Sequence, residues 1–71
     1  MKVKDLVDVT IASMPVRVDT LDNETLIYVF SLFMAGECML PNKILNMEVR
    51  GVSLFQEENE EDMGLLINVE Y

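Results

Sequence analysis

The sequence predicts a small α+β domain: a four-stranded antiparallel sheet made of two hairpins, with a short N-terminal helix and one helical turn. Apolar and polar residues alternate in three separate segments, which is typical of strands with one buried face. Turn-forming residues separate these segments, and apolar residues near the N-terminus recur at helical spacing. The length of 71 residues leaves room for one domain, residues 1–71.

The first segment has the pattern of an amphipathic helix. Val3, Leu6 and Val7 recur at i, i+3 and i+4, and charged residues fill most of the positions between them. We therefore predict a short helix over residues 3–9. The alternative is a strand, because valine and isoleucine alternate with polar residues over 7–11 and β-branched residues are poor helix formers.

The first predicted hairpin follows. Pro15–Asp19 alternates as a strand, Asp22-Asn23 supplies the turn, and Thr25–Phe33 forms the second arm because it is rich in β-branched and aromatic residues. The second arm also fits a helix that begins after Asn23 and ends at Gly36. Both interpretations stay open at this point, and the strand is favoured.

The second predicted hairpin fills the C-terminal half. Pro41–Asn46 has the pattern of one helical turn with proline at its start. Met47–Phe55 is a strand whose apolar face is continuous only if one residue is extra, and Gly51 is where a bulge would lie. A polar loop over 56–64 leads to a final strand over 65–71.

The second arm of the first hairpin is apolar on both faces, so it needs cover on both sides. A two-layer domain of this size supplies one cover. We therefore predict that the other face is a self-interface in a homo-oligomer. Its residues are Leu26, Tyr28, Phe30 and Leu32. The alternative is that this arm is the central strand of the core.

Composition excludes several classes of function. With no histidine and one cysteine, the usual zinc sites, disulfide frameworks and histidine-based catalysis are excluded. We therefore expect no enzyme activity, no cofactor and no metal site. Thirteen acidic residues against five basic ones, a net charge of −8, also disfavour direct binding of nucleic acid, which depends on lysine and arginine.

The acidic residues are concentrated in the last predicted loop. They are Glu57, Glu58, Glu60, Glu61 and Asp62. Such a cluster can present phosphate-like charge to a basic partner, and we predict it as the partner-binding site. The alternative is a solvated loop that maintains solubility.

A different candidate site rests on the basic residues. In a homo-oligomer, Arg17, Lys43 and Arg50 from several subunits could hold an anionic ligand such as a nucleotide or a nucleic-acid strand. The alternative for the two arginines is a pair of surface ion pairs, with Asp19 and with Glu48. A structural or assembly subunit is a further alternative.

No targeting or membrane segment is expected. Asp5 and Asp8 interrupt the apolar run at the N-terminus, which argues against a signal peptide. The longest apolar stretch, residues 26–35, is about half of a membrane span. We therefore expect a cytoplasmic protein.

Several segments, in order, resemble short acidic accessory proteins of bacteriophages and prophages. They are Lys2-Val3-Lys4-Asp5-Leu6, Val16-Arg17-Val18, residues 40–49 (LPNKILNMEV), Gly51-Val52-Ser53, the acidic loop and the closing apolar strand. Small anti-CRISPR-type proteins occur in that group. The resemblance implies a non-enzymatic binding protein that inhibits a bacterial defence nuclease, with a basic, nucleic-acid-handling host protein as partner in the bacterial cytoplasm.

Overall fold

Two hairpins lie side by side in one four-stranded sheet in the computed structural model of the chain, which describes residues 1–10, 13–56 and 63–70. The elements are α1 (Val3–Val7), β1 (Val16–Thr20), β2 (Thr25–Val29), β3 (Phe33–Met34), β4 (Glu37–Cys38), α2 (Asn42–Leu45), β5 (Glu48–Phe55) and β6 (Gly64–Glu70). The order of strands in the main sheet is β2-β1-β6-β5. The α+β class, the four strands and the two short helices are confirmed.

The sheet is mixed, so the prediction of a purely antiparallel sheet was wrong. Within each hairpin the strands are antiparallel, but β1 and β6 pair in parallel, with Val16 opposite Leu65. Residues 30–47 carry the chain from β2 to β5, which runs in the same direction as β2. Alternation predicts which face a side chain occupies, but it does not predict the direction of the neighbouring strand.

Most predicted elements are present with shorter bounds. The first segment is a helix, α1, and the Asp5 carboxylate accepts a hydrogen bond from the Lys2 N–H at its start, at 3.0 Å. The second arm of the first hairpin is a strand, and it ends at Val29. The pairing of β5 with β6 shifts register between Val49 and Gly51, which confirms the predicted bulge.

The small hairpin β3-β4 was not predicted. It joins strands of two residues through Ala35 and Gly36, whose φ angles are 57° and 82°. Strands this short have no measurable period, so alternation in the sequence does not reveal them.

One face of the main sheet carries the hydrophobic core. α1, α2 and the segment around β3-β4 all pack on this face. The buried core residues are Val3, Val7, Val16, Val18, Leu32, Leu40, Ile44, Ile67 and Val69. Residues that alternate with these along the strands, such as Arg17 and Asp19, point to the opposite side, which we call the second face. None of the helices among the described residues is long and apolar enough to cross a membrane.

Candidate functional site

An ion pair on β1 occupies the middle of the second face. Arg17 Nε donates to Asp19 Oδ1 at 3.1 Å, and Arg17 Nη2 donates to Asp19 Oδ2 at 3.0 Å. The Asp19 side chain is only 2% exposed, whereas that of Arg17 is 32% exposed. The Arg17 guanidinium also lies 5.3 Å from the centre of the Phe55 ring. Arg17 therefore pairs with Asp19, the partner that the ion-pair alternative predicted, but the pair is not a surface pair because the Asp19 carboxylate is buried.

The second arginine is also paired within the chain, but not with the predicted partner. Arg50, in the β5 bulge, donates through Nε to Glu70 Oε2 at 2.7 Å, and its Nη2 contacts the same oxygen. Glu48 instead accepts from the Met1 ammonium at 3.3 Å. The expected pair of Arg50 with Glu48 was wrong because the bulge and the pairing with β6 bring Glu70 to Arg50.

The basic residues of the anionic-ligand hypothesis are not gathered within one chain. Lys43 lies on α2, which packs on the core face, where it lines a pocket of about 200 Å³ with Leu26, Ile44 and Met47. Arg17 lies on β1 and points away from the core, and β6 separates β1 from Arg50 on β5. A single site that contains all three basic residues would need residues from different subunits.

The acidic cluster Glu57, Glu58, Glu60, Glu61 and Asp62 lies outside the described residues. Among the described carboxylates, those of Asp8, Asp22, Glu24 and Glu37 belong to exposed residues. No group of three or more cysteine and acidic residues in the described part of the chain is arranged to hold a metal ion.

Two of these carboxylates flank a pocket that sequence reasoning did not find. The pocket, about 300 Å³, lies at the turn between β1 and β2 and is lined by Thr20, Asp22, Glu24 and Leu26. Thr20 holds the turn, because its N–H donates to the Glu24 carbonyl at 2.8 Å and its Oγ accepts from the Glu24 N–H at 3.2 Å. The sequence Asp22-Asn23 indicated only a turn, in which Asn23 has a φ of 66°.

The predicted self-interface residues do not share one face. Leu32 is completely buried in the core of the single chain, so it is not available to a partner. Leu26 is half-buried and packs against the core, because the pairing of β1 with β2 shifts register there. Phe30 lies beyond the end of β2, so the alternation that placed the four residues together stops at Val29.

Tyr28 and Phe30 belong to an aromatic cluster instead. Tyr28 pairs with Arg17 across the strands and therefore shares the second face with it. Its ring packs edge-on against Phe30 at 5.2 Å and against Phe55 at 5.9 Å, measured between ring centres. Phe30 is 68% exposed. Phe55 was missed because it lies 25 residues or more from the other two in the sequence.

Comparison with known proteins gives no relative. No family model, no curated protein and no solved structure matches the chain.

Proposed function

We propose that the chain is a non-enzymatic binding protein whose acidic surface inhibits a basic, nucleic-acid-handling partner, such as a CRISPR effector or another bacterial defence nuclease. The observation that carries this proposal is that both arginines are paired with carboxylates of the chain itself. The arginine groups are therefore already engaged and do not bind an anion. The acidic residues remain in excess.

The charge balance supports a basic partner. Each internal ion pair removes one positive and one negative charge, so the net charge stays at −8. Exposed acids are present at the end of α1, in the β1–β2 turn and in β4, represented by Asp8, Asp22 and Glu37. Five more belong to residues 57–62. Such a surface attracts proteins that expose lysine and arginine, and it accelerates their association at low salt.

Inhibition follows from competition. A nuclease holds DNA largely through contacts between basic side chains and phosphates. Carboxylates that form ion pairs with those basic side chains prevent the phosphates from binding, and no chemical step is needed. Because the attraction is electrostatic, we expect inhibition to weaken as the salt concentration rises.

The anionic-ligand hypothesis is less well supported. To bind a phosphate, Arg17 would have to leave Asp19, and a carboxylate that is only 2% exposed would lose its partner. Breaking a buried pair in this way is strongly unfavourable. Arg17 therefore contributes to the stability of the sheet in this proposal and does not bind the partner.

The test is an inhibition assay with purified CRISPR effectors and restriction endonucleases cutting a DNA substrate, at low and at high NaCl. The acidic-cluster variant carries Glu57→Gln, Glu58→Gln, Glu60→Gln and Glu61→Gln. The matched control carries Asp8→Asn, Asp22→Asn, Glu24→Gln and Glu37→Gln. Both lose four negative charges, so a difference between them reports on position and not on net charge.

We expect at least one nuclease to be inhibited by the wild type, and the acidic-cluster variant to inhibit it about tenfold less strongly than the control. A ten-fold change corresponds to about 1.4 kcal/mol of binding free energy. If none of the nucleases is inhibited, the proposed function is wrong. If the two variants lose inhibition equally, the assignment of the acidic cluster as the binding site is wrong.

A further inference from the structure

The outer edge of β5 is paired along only part of its length. Its beginning is covered by the N-terminus, where the Val3 N–H donates to the Met47 carbonyl at 3.0 Å and the Val49 N–H donates to the Met1 carbonyl at 2.8 Å. Past the bulge, β5 pairs only with β6 among the described residues. The described residues therefore cover the first half of the strand's outer edge and leave the second half uncovered.

The backbone direction identifies which groups are uncovered. The Leu65 N–H donates to the Pro15 carbonyl, so the backbone of Leu65 faces β1, and that of its neighbours in β6 faces β5. Ser53 lies opposite Leu66 and uses its backbone groups there. It follows that Val52 and Leu54 direct their N–H and C=O groups away from β6, toward the open edge.

The side chains of the same two residues form an apolar patch. Val52 is 47% exposed and Leu54 is 59% exposed, on the sheet face that carries the core. Leu54 lies opposite half-buried Leu65, and Met63, immediately before β6, is 45% exposed. No charged residue occurs from Gly51 to Gln56. Edge strands usually carry a charge, a proline or a covering segment that prevents pairing with another chain, and this half has none among the described residues.

We propose that a second copy of the chain pairs with this edge, β5 against β5, antiparallel about a two-fold axis at Ser53. The occupant must be an extended, uncharged strand with outward backbone groups and apolar side chains at alternate positions. β5 itself meets this requirement. The two-fold axis places Val52 of each copy opposite Leu54 of the other. Each of these two residue pairs exchanges two backbone hydrogen bonds, so about four interchain hydrogen bonds form.

Size and charge support this occupant. A domain of about 60 residues buries only about 60% of the surface of its unfolded chain, so a 71-residue chain gains from covering an apolar edge. The central segment of the contact contains no carboxylate, so the repulsion between two chains of net charge −8 is not focused there. The result is a continuous eight-stranded sheet with both second faces on the same side.

The first test is sedimentation velocity on the full chain, which needs no nuclease and is therefore independent of the proposed function. We expect a wild-type dimer, and at least tenfold weaker dimerisation for Leu54→Lys, which introduces a charge at the edge. The matched control is Leu21→Lys, because Leu21 is the same residue type with the same 59% exposure but lies in the β1–β2 turn. Circular dichroism verifies that both variants are folded. A monomeric wild type, or an unchanged Leu54→Lys dimer, overturns the proposal.

The second test checks the register. Residues 53 of two copies would form a non-hydrogen-bonded pair, with Cα atoms about 4.5 Å apart, which is compatible with a disulfide. In a Cys38→Ser background, we expect Ser53→Cys to form a cross-linked dimer on mild oxidation. Ser13→Cys, at another exposed serine, is the control and should stay monomeric under reducing-agent-free denaturing electrophoresis. Equal cross-linking of the two variants overturns the two-fold register.

Discussion

Gly64 is a residue at which the fold leaves no room for a side chain. A Cβ atom there would lie 2.6 and 2.7 Å from two carbons of the Phe55 ring and 2.9 Å from the Pro15 carbonyl oxygen. The ring belongs to a side chain and can turn, but the carbonyl belongs to the backbone and accepts the hydrogen bond of Leu65. The close approach of β1, β5 and β6 therefore requires glycine at this position.

We predict that Gly64→Ala lowers the free energy of unfolding by about 1–3 kcal/mol, the usual cost of overpacking. Urea denaturation followed by circular dichroism measures it. The control is Gly51→Ala, where a Cβ would lie 3.7 and 3.9 Å from side-chain atoms of Asn68, which is ordinary contact. We expect that variant to match or slightly exceed the wild type. Equal losses at the two positions would contradict the packing explanation.

Single residues also show where sequence reasoning succeeds. The pair of Arg17 with Asp19 was predicted correctly, because residues two apart on a strand point to the same side and the contact is local. The pair of Arg50 with Glu48 has the same spacing and is wrong. The bulge at Arg50 breaks the alternation, and the actual partner, Glu70, belongs to another strand.

At the scale of elements, the turn between β3 and β4 is made from an unfavourable residue. Ala35 has a φ of 57° and Gly36 a φ of 82°. Left-handed conformations at both central positions are typical of the tight hairpin turn that prefers Asn-Gly. Glycine adopts this conformation without cost, but alanine is strained by its Cβ atom.

We predict that Ala35→Asn raises the free energy of unfolding by about 0.5–1 kcal/mol, because asparagine tolerates the left-handed region better than alanine. Thermal melting by circular dichroism measures the change. Gly36→Ala is the opposite control, and we expect it to lower the stability by about 1 kcal/mol. A destabilised Ala35→Asn variant would show that the turn does not limit stability.

Elements with a clear local period were predicted well. α1, β1, the strand β2 and the bulge of β5 all follow from spacing and residue type. The end of β2 was not predicted, because Phe30 and Leu32 continue the apolar pattern beyond the strand while Leu32 is buried in the core. An apolar residue is compatible with a strand or with a core position, and only packing decides between them.

At the scale of the whole molecule, charge opposes compactness. The chain has thirteen acidic residues and five basic ones. The excess negative charges repel one another more strongly in the folded chain than in the extended unfolded chain. Salt screens this repulsion over about 10 Å at 0.1 M ionic strength and about 3 Å at 1 M. The folded state therefore gains stability as salt is added.

We predict that the melting temperature rises by roughly 4–8 °C between 20 mM and 500 mM NaCl, which corresponds to about 1 kcal/mol for a domain of this size. Differential scanning calorimetry on Leu54→Lys measures it, because this variant reduces any contribution from the proposed dimer. Adding Asp8→Asn, Asp22→Asn, Glu24→Gln and Glu37→Gln to that variant should reduce the increase. A melting temperature that falls with salt would mean that favourable ion pairs outweigh the repulsion.

The sequence by itself determined the α+β class, the types of most elements, the bulge, the acidic charge balance and the pair within β1. Each depends on residue type or on spacing within a few residues, which backbone geometry converts directly into structure. Only the tertiary structure decided the parallel pairing of β1 with β6, the partner of Arg50, the burial of Leu32 and the fact that β6 is the only described strand that pairs with the second half of β5. These features depend on which distant segments meet and in which direction they run. The local alternation of apolar and polar residues contains no information on strand direction or on distant partners, because strands of either direction bury the same alternating face.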